Sequence, residues 1–263
     1  MVIPTVKNIP LKKHAENANL SPVKISLIVP AFNEERLLAA SLAKIQAAAT
    51  AFARRGWAVE LIVCDNNSTD KTAAIAAAAG ALVVFEPVNQ IARARNCGAA
   101  AATGDWLVFV DADSHPSAEL FDDVATEILA GRCLAGGATI RLDEKIFVAG
   151  LITQIWNLNS RLWRLMAGSF IFCEAAAFRE IGGFSHELFA AEELDLSQRL
   201  KKLGAKQGRK VVILHRHPLV TSARKMHLYT PREHLSYLWK AIFRHRQTLG
   251  SRQASYLWYD GRR

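Results

Sequence analysis

Two pairs of acidic residues stand where their type and spacing suit chemistry. In "VFVDADS", Asp111 and Asp113 lie one residue apart at the end of a run of bulky apolar side chains, and in "AEELDLSQRL", Glu192 and Glu193 are adjacent, ahead of Asp195 and Arg199. Two carboxylates at i and i+2 on a strand end offer oxygen ligands to a hard divalent cation such as Mg²⁺ or Mn²⁺, which fills the rest of its shell with water and substrate phosphates. A further carboxylate can take the proton of an attacking hydroxyl. Each pair also has an ordinary use. Asp-x-Asp at a strand end caps helices and turns, and Asp195 four residues before Arg199 is a common helical ion pair.

These acids need elements to hold them, and the chain supplies apolar runs alternating with helical patterns, as expected of βαβ units and a largely parallel sheet. "KISLIVP" (24–30) reads as a buried strand, followed by an Ala/Leu-rich helix opened by Asn33 as N-cap and closed by Gly56. "AVELIVCD" (58–65) is a second strand, "NNSTDKT" the turn into a short helix, and "ALVVF" (81–85) a third strand. A helix from about 91 to 102 leads into "DWLVFV", so the Asp111/Asp113 pair sits at a strand's C-terminal end, where open α/β sheets place ligands. Beyond it the order is less regular: a helix over 118–130, a strand at "CLAGGATI", a long helical stretch to Met166, a strand "KVVIL" and a last helix. The first strand is followed by "VPAFNEER", which has no glycine for a dinucleotide-binding turn. A diphosphate bound here must be met in another way, and a metal on the acidic pair is the natural one.

Composition sets the bounds. The 263 residues, 51% hydrophobic and 22% charged, suffice for one large α/β domain with appendages. The net charge of +9 is a C-terminal property: from Arg209 onward twelve Lys/Arg face only Glu233 and Asp260. No zinc finger, helix-turn-helix or RNP signature accompanies that charge, so nucleic acid is not the expected partner. Cys64, Cys97, Cys133 and Cys173 are isolated in sequence and read as reduced, structural thiols. The first residues lack the apolar core of a signal peptide, and the longest apolar stretch, 146–172, is interrupted by polar and basic residues, so neither export nor a membrane span is expected.

Taken in order, "IVPAFNEE", "CDNNSTDKT", "ARARNCGA", "VDADS", "IGGF" and "AEELDLSQRL" resemble glycosyltransferase family 2, the inverting nucleotide-sugar enzymes of GT-A fold; the resemblance covers about residues 24–204. It implies an α/β fold of GT-A type, a mostly parallel central sheet flanked by helices, with a basic amphipathic helical extension at the C-terminus. The expected organisation is a flexible arm over 1–23, a glycosyltransferase domain over 24–220 with a nucleotide-binding half to 115 and an acceptor half beyond, and the extension over 221–263. The resemblance puts Pro30, Ala31, Asn33, Glu34 and Asp65 against the base and ribose and gives Arg95 a part in holding the nucleotide, with Arg93 nearby. It places Asp111 by the ribose or metal, Asp113 on the metal, Mn²⁺ or Mg²⁺, and Glu193 as the base. His217, or His215, is a further expected metal ligand, and Gly183 and Glu192 are expected to shape the acceptor site. In that family the base is often Asp where Glu193 stands. A UDP-sugar is the expected donor, since uracil offers an N–H to Asp65. Trp156, Trp163 and Phe170 read as core packing rather than sugar platforms.

Two other readings compete. A haloacid-dehalogenase-type phosphatase also places Asp-x-Asp after an apolar strand and uses the first Asp, here Asp111, as nucleophile. A catalytically inactive sugar-nucleotide or membrane-surface binding protein is the third. In the extension, Leu235, Leu238, Trp239, Ile242 and Phe243 fall on one helical face among Arg232, Lys240, Arg244 and Arg246. That face either docks on its own domain or lies on an anionic membrane surface, which fits a cytoplasmic enzyme peripheral to the inner face of the membrane and a lipid-linked or cell-envelope acceptor.

Overall fold

The computed structural model describes residues 23–224. The expected N-terminal arm, up to residue 22, and the expected C-terminal helical extension beyond Arg224 lie outside the described residues. In chain order the elements are β1 (Lys24–Ala31), α1 (Leu38–Ala53), β2 (Ala58–Asp65), α2 (Thr72–Ala78), β3 (Leu82–Phe85), α3 (Ile91–Ala101), β4 (Trp106–Val110), β5 (Ser114–His115), α4 (Ala118–Ala130), β6 (Cys133–Leu142), α5 (Phe147–Trp163), β7 (Phe170–Glu174), α6 (Ala175–Glu180), α7 (Glu192–Gln207) and β8 (Lys210–Thr221).

One eight-stranded sheet runs in the order β3-β2-β1-β4-β7-β6-β8-β5. Its first four strands pair in parallel. β7 then inserts antiparallel to both β4 and β6, while β6 and β8 are parallel. The sheet is therefore mixed, its parallel character confined to the half formed by the first βαβ units and to the β6–β8 pair. Side chains of β1 alternate between two apolar clusters: Ile25, Leu27 and Val29 pack with α1 and α4, and Ile28 packs with α3. Helices thus cover both faces, which is why the central strands read as near-continuous apolar runs.

Two local readings are corrected and one strand is added. α1 begins at Leu38, and Asn33 is not its cap; Asn33 sits in the left-handed region at φ 52°, in the loop before it. β7, "FIFCE", is the added strand, central in the sheet between β4 and β6. The strand expected at "KVVIL" extends through "LHRHP", because β8 runs for 12 residues.

Candidate active site

The C-terminal ends of β1, β2 and β4 lie side by side. Ala31 is in register with Asp65, and Ile28 with Phe109, so the loops after these strands share one rim. The loops after β1 and β2 are stitched together. The Asn33 side chain accepts a hydrogen bond from the Thr69 backbone N–H at 2.8 Å, and Asn33 N–H donates to Ser68 Oγ at 3.0 Å. Glu34 N–H donates to Thr72 Oγ1, and Glu35 N–H to Asp70. Asp65 accepts from the Ser68 N–H, three residues on, at 3.1 Å, a local side chain–backbone bond that orients its carboxylate at the strand end. Pro30 and Ala31 close β1 directly beneath.

The centre of the site is Arg95. Although only 1% exposed, it reaches from α3 to bind Glu192 at 2.6 Å, Asp111 at 2.9 Å and the Gly168 carbonyl at 2.8 Å, with its guanidinium 5.2 Å from the Phe184 ring centre. Burial works against its charge, but Asp111, Glu192 and Glu193 outweigh burial and raise its pKa above the ordinary value. Of the two acids at the start of α7, Glu192 is therefore the paired one, buried against Arg95. Glu193 is in a different state. Loss of hydration on burial, reinforced by the neighbouring Glu192 charge, pushes its carboxyl well above the ordinary 4.5, while its backbone hydrogen bond and Arg95 pull the other way. A carboxyl tuned upward beside one paired with a guanidinium is the kind of contrast in environment that acid–base sites use. Ala191, immediately before, takes the left-handed conformation at φ 60°, strain of about 1–3 kcal/mol at the point where α7 presents the two acids.

Arg95, Asp111, Glu192 and Glu193 all line one cavity of about 300 Å³, together with Ile140, Trp156, Gly168 and Phe189–Ala191. Trp156, expected in the core, faces this cavity, whereas Phe170 is core and Trp163 is exposed. Gly183 does not line the cavity. It makes a tight turn at φ 69°, where a Cβ would meet Asn96 Oδ1 at 2.6 Å, the same oxygen that accepts from the Phe184 N–H.

Asp113 follows at the sheet rim, anchored by its carbonyl, which accepts from Ser222 N–H at 3.2 Å. Arg224, which nothing in the sequence singled out, pairs with Glu34 through two hydrogen bonds of 2.9 and 3.0 Å and stands 3.9 Å from the Asp113 carboxylate. Glu34 is thus tied to a cation at the site's edge, a contact between residues 190 apart that no local pattern announces. His217 points to the α4 side of the sheet, 3.0 Å from Asp123, and His215 is exposed. Among the described residues no group of three or more His, Cys, Asp or Glu gathers to hold a metal by itself. Asp111 and Asp113 supply oxygen donors only, and with Arg95 already on Asp111 they fit a hard divalent cation whose remaining ligands are phosphate oxygens and water rather than a third side chain. Among the described residues no helix is long and apolar enough to cross a membrane, and all four cysteines are free.

Solved structures with this fold include a mannosyltransferase from Pyrobaculum calidifontis in complex with GDP-Man and Mn²⁺ (TM-score 0.62, 19% identity, covering 89% of this chain and 63% of that one). Another is glucosyl-3-phosphoglycerate synthase from Mycobacterium tuberculosis in complex with Mn²⁺, UDP and glucosyl-3-phosphoglycerate (TM-score 0.56, 20% identity, covering 84% and 77%). At that identity the likeness is one of fold, and the fold is GT-A. An uncharacterised glycosyltransferase of Mycobacterium tuberculosis strain H37Rv is 36% identical over 141 residues, 52% of this chain and 60% of the relative, so the chain spans less than two thirds of that relative's length. The profile of Glycosyl transferase family 2 matches residues 26–179. That match takes in the stapled loops, Arg95 and the Asp111/Asp113 pair, covers more than half of the sequence, and leaves the phosphatase reading of Asp111 without support: the chain belongs to glycosyl transferase family 2.

Proposed function

We propose that this chain is a metal-dependent transferase that moves a sugar from a nucleoside diphosphate donor, a UDP-sugar, to an acceptor hydroxyl with inversion at the anomeric carbon. The observation that carries the reading is the arrangement of Arg95, Asp111, Glu192 and Glu193 around one cavity beside Asp113. In this reading Pro30, Ala31 and Asn33 cup the nucleotide, and Asp65 accepts the uracil N–H. Asp113 and Asp111 hold Mn²⁺ or Mg²⁺, which when bound neutralises charge on the departing diphosphate. Glu34 keeps the Arg224 guanidinium beside Asp113.

Glu193 takes the proton from the acceptor hydroxyl as its oxygen bonds to the anomeric carbon. The bond from that carbon to the phosphate oxygen breaks, and its electron pair leaves with the nucleoside diphosphate. That leaving group needs no protonation, so one carboxylate serves, unlike the two of glycoside hydrolases. Arg95 orients Glu192 through its hydrogen bond and holds the first turn of α7 against the cavity. A lipid-linked or cell-envelope acceptor, and a cytoplasmic enzyme resting on an anionic membrane through its basic C-terminal segment, complete the proposal.

Thermal unfolding with UDP, GDP, dTDP and CDP, each with Mn²⁺, tests it. UDP at 100 times its dissociation constant is expected to stabilise the fold by about 2.7 kcal/mol. No stabilisation by any of the four nucleotides, with or without Mn²⁺, would overturn the proposal.

A further inference from the structure

Eight large apolar side chains of α5 are exposed: Phe147, Val148, Leu151, Ile152, Ile155, Leu158, Leu162 and Trp163, from 52% to 89% accessible. At 100° per residue they fall within an arc of about 160°, along a helix of about 25 Å. Single exposed apolar residues are ordinary, but a continuous face of eight marks a surface that meets something. The other side of the helix is committed to the fold: Ala149 and Ser160 are buried, Asn157 bonds both backbone groups of Ile140, and Trp156 lines the catalytic cavity.

We infer that the exposed face of α5 seats the protein in the interface of an anionic lipid bilayer. α5 contains no Asp or Glu. Its C-terminal end carries the exposed Arg161 and Arg164, and Lys201 of α7 bonds the Trp163 carbonyl there. An apolar face with aromatic residues at both ends and cations at its margin suits acyl chains below and anionic headgroups beside it. Charge argues against either terminal segment outside residues 23–224 as the cover: from Lys225 onward eight Lys/Arg oppose Glu233 and Asp260, and over residues 1–22 Lys7, Lys12 and Lys13 oppose Glu16. The cations at the Arg161/Arg164/Lys201 end disfavour a basic cover and match an anionic surface. The inference rests on the exposed face of α5 and the cations at its end, and is independent of the acceptor's identity.

Flotation of the full chain with vesicles of phosphatidylglycerol and phosphatidylcholine, against phosphatidylcholine alone, tests it. Binding is expected to the anionic vesicles, and the double variant Ile152→Glu/Ile155→Glu, which alters exposed positions only, is expected to lower partitioning about tenfold or more with hydrolysis of the sugar nucleotide unchanged. Brominated lipid is expected to quench wild-type fluorescence more than that of Trp163→Phe, a readout that does not depend on the double variant folding. Equal binding by wild type and double variant, equal quenching of wild type and Trp163→Phe, absence of wild-type binding, or a dimer in light scattering that the double variant abolishes would each overturn the inference.

Discussion

At the scale of the residue, the site is governed by which carboxylates are paired. Arg95 is buried with Glu192 and Asp111 on its guanidinium, so Arg95→Met strands two acids facing a desolvated cavity. Removing one partner of such a group costs about 3–5 kcal/mol. Chemical denaturation should show that loss, with part of it recovered in the double variant Arg95→Met/Glu192→Gln. Glu193 behaves in the opposite sense. Its folded pKa is raised above 4.5, so the protonated form favours the fold, and that contribution is lost as pH rises through the raised value. Glu193→Gln is therefore expected to match the wild type's melting temperature in acid and exceed it at alkaline pH. The same variant should lose roughly 100- to 10,000-fold in kcat if Glu193 is the base. In the wild type the acid limb of kcat/KM should then fall well above the usual carboxylate range. Arg224→Ala leaves Glu34 without its bidentate partner and removes a cation from beside Asp113; a rise in donor KM larger than the fall in kcat is the expected kinetic signature.

At the scale of the element, strand ends and loop contacts place these groups. The loops after β1 and β2 are joined by five side chain–backbone bonds, from Asn33 to Glu35 on one side and Ser68 to Thr72 on the other. These residues looked like helix caps in sequence because Asn, Asp, Ser and Thr cap helices and cross-link loops with the same oxygen atoms. Packing at the opposite end of β1 is equally close. Gly104 N–H donates to Ser26 Oγ, and a Cβ on Gly104 would lie 2.8 Å from both Lys24 O and Ser26 N. Backbone atoms in a central strand cannot retreat, so Gly104→Ala is expected to lower stability by about 1–3 kcal/mol, measurable as a reduced denaturation midpoint with an unchanged slope.

At the scale of the molecule, two halves of one sheet meet at β4 and β7. The parallel half presents the stapled loops and Asp111, and the mixed half brings Gly168, Trp156 and the start of α7 to the same cavity. A ligand that spans both halves should stabilise the whole fold rather than one lobe. Removing divalent metal with a chelator is accordingly expected to erase the thermal shift given by a sugar nucleotide while leaving the melting temperature of the ligand-free protein unmoved, because no described cluster of side chains holds a metal without substrate oxygens.

The sequence alone determined the alternation of strands and helices as far as β4, and the position of Asp111 and Asp113 at a strand end, because apolar periodicity and turn residues act within a few positions of one another. It also identified Glu193 as the candidate base through the order of its motifs. Tertiary structure decided the rest. β7 became a central antiparallel strand by pairing with β4 and β6. Arg95 turned to Glu192 across 97 residues, and Arg224 to Glu34 across 190. Such pairings, and the outward face of α5, depend on which surfaces the sheet order brings together. Burial and charge pairing are properties of that assembled neighbourhood, and no stretch of chain carries them by itself.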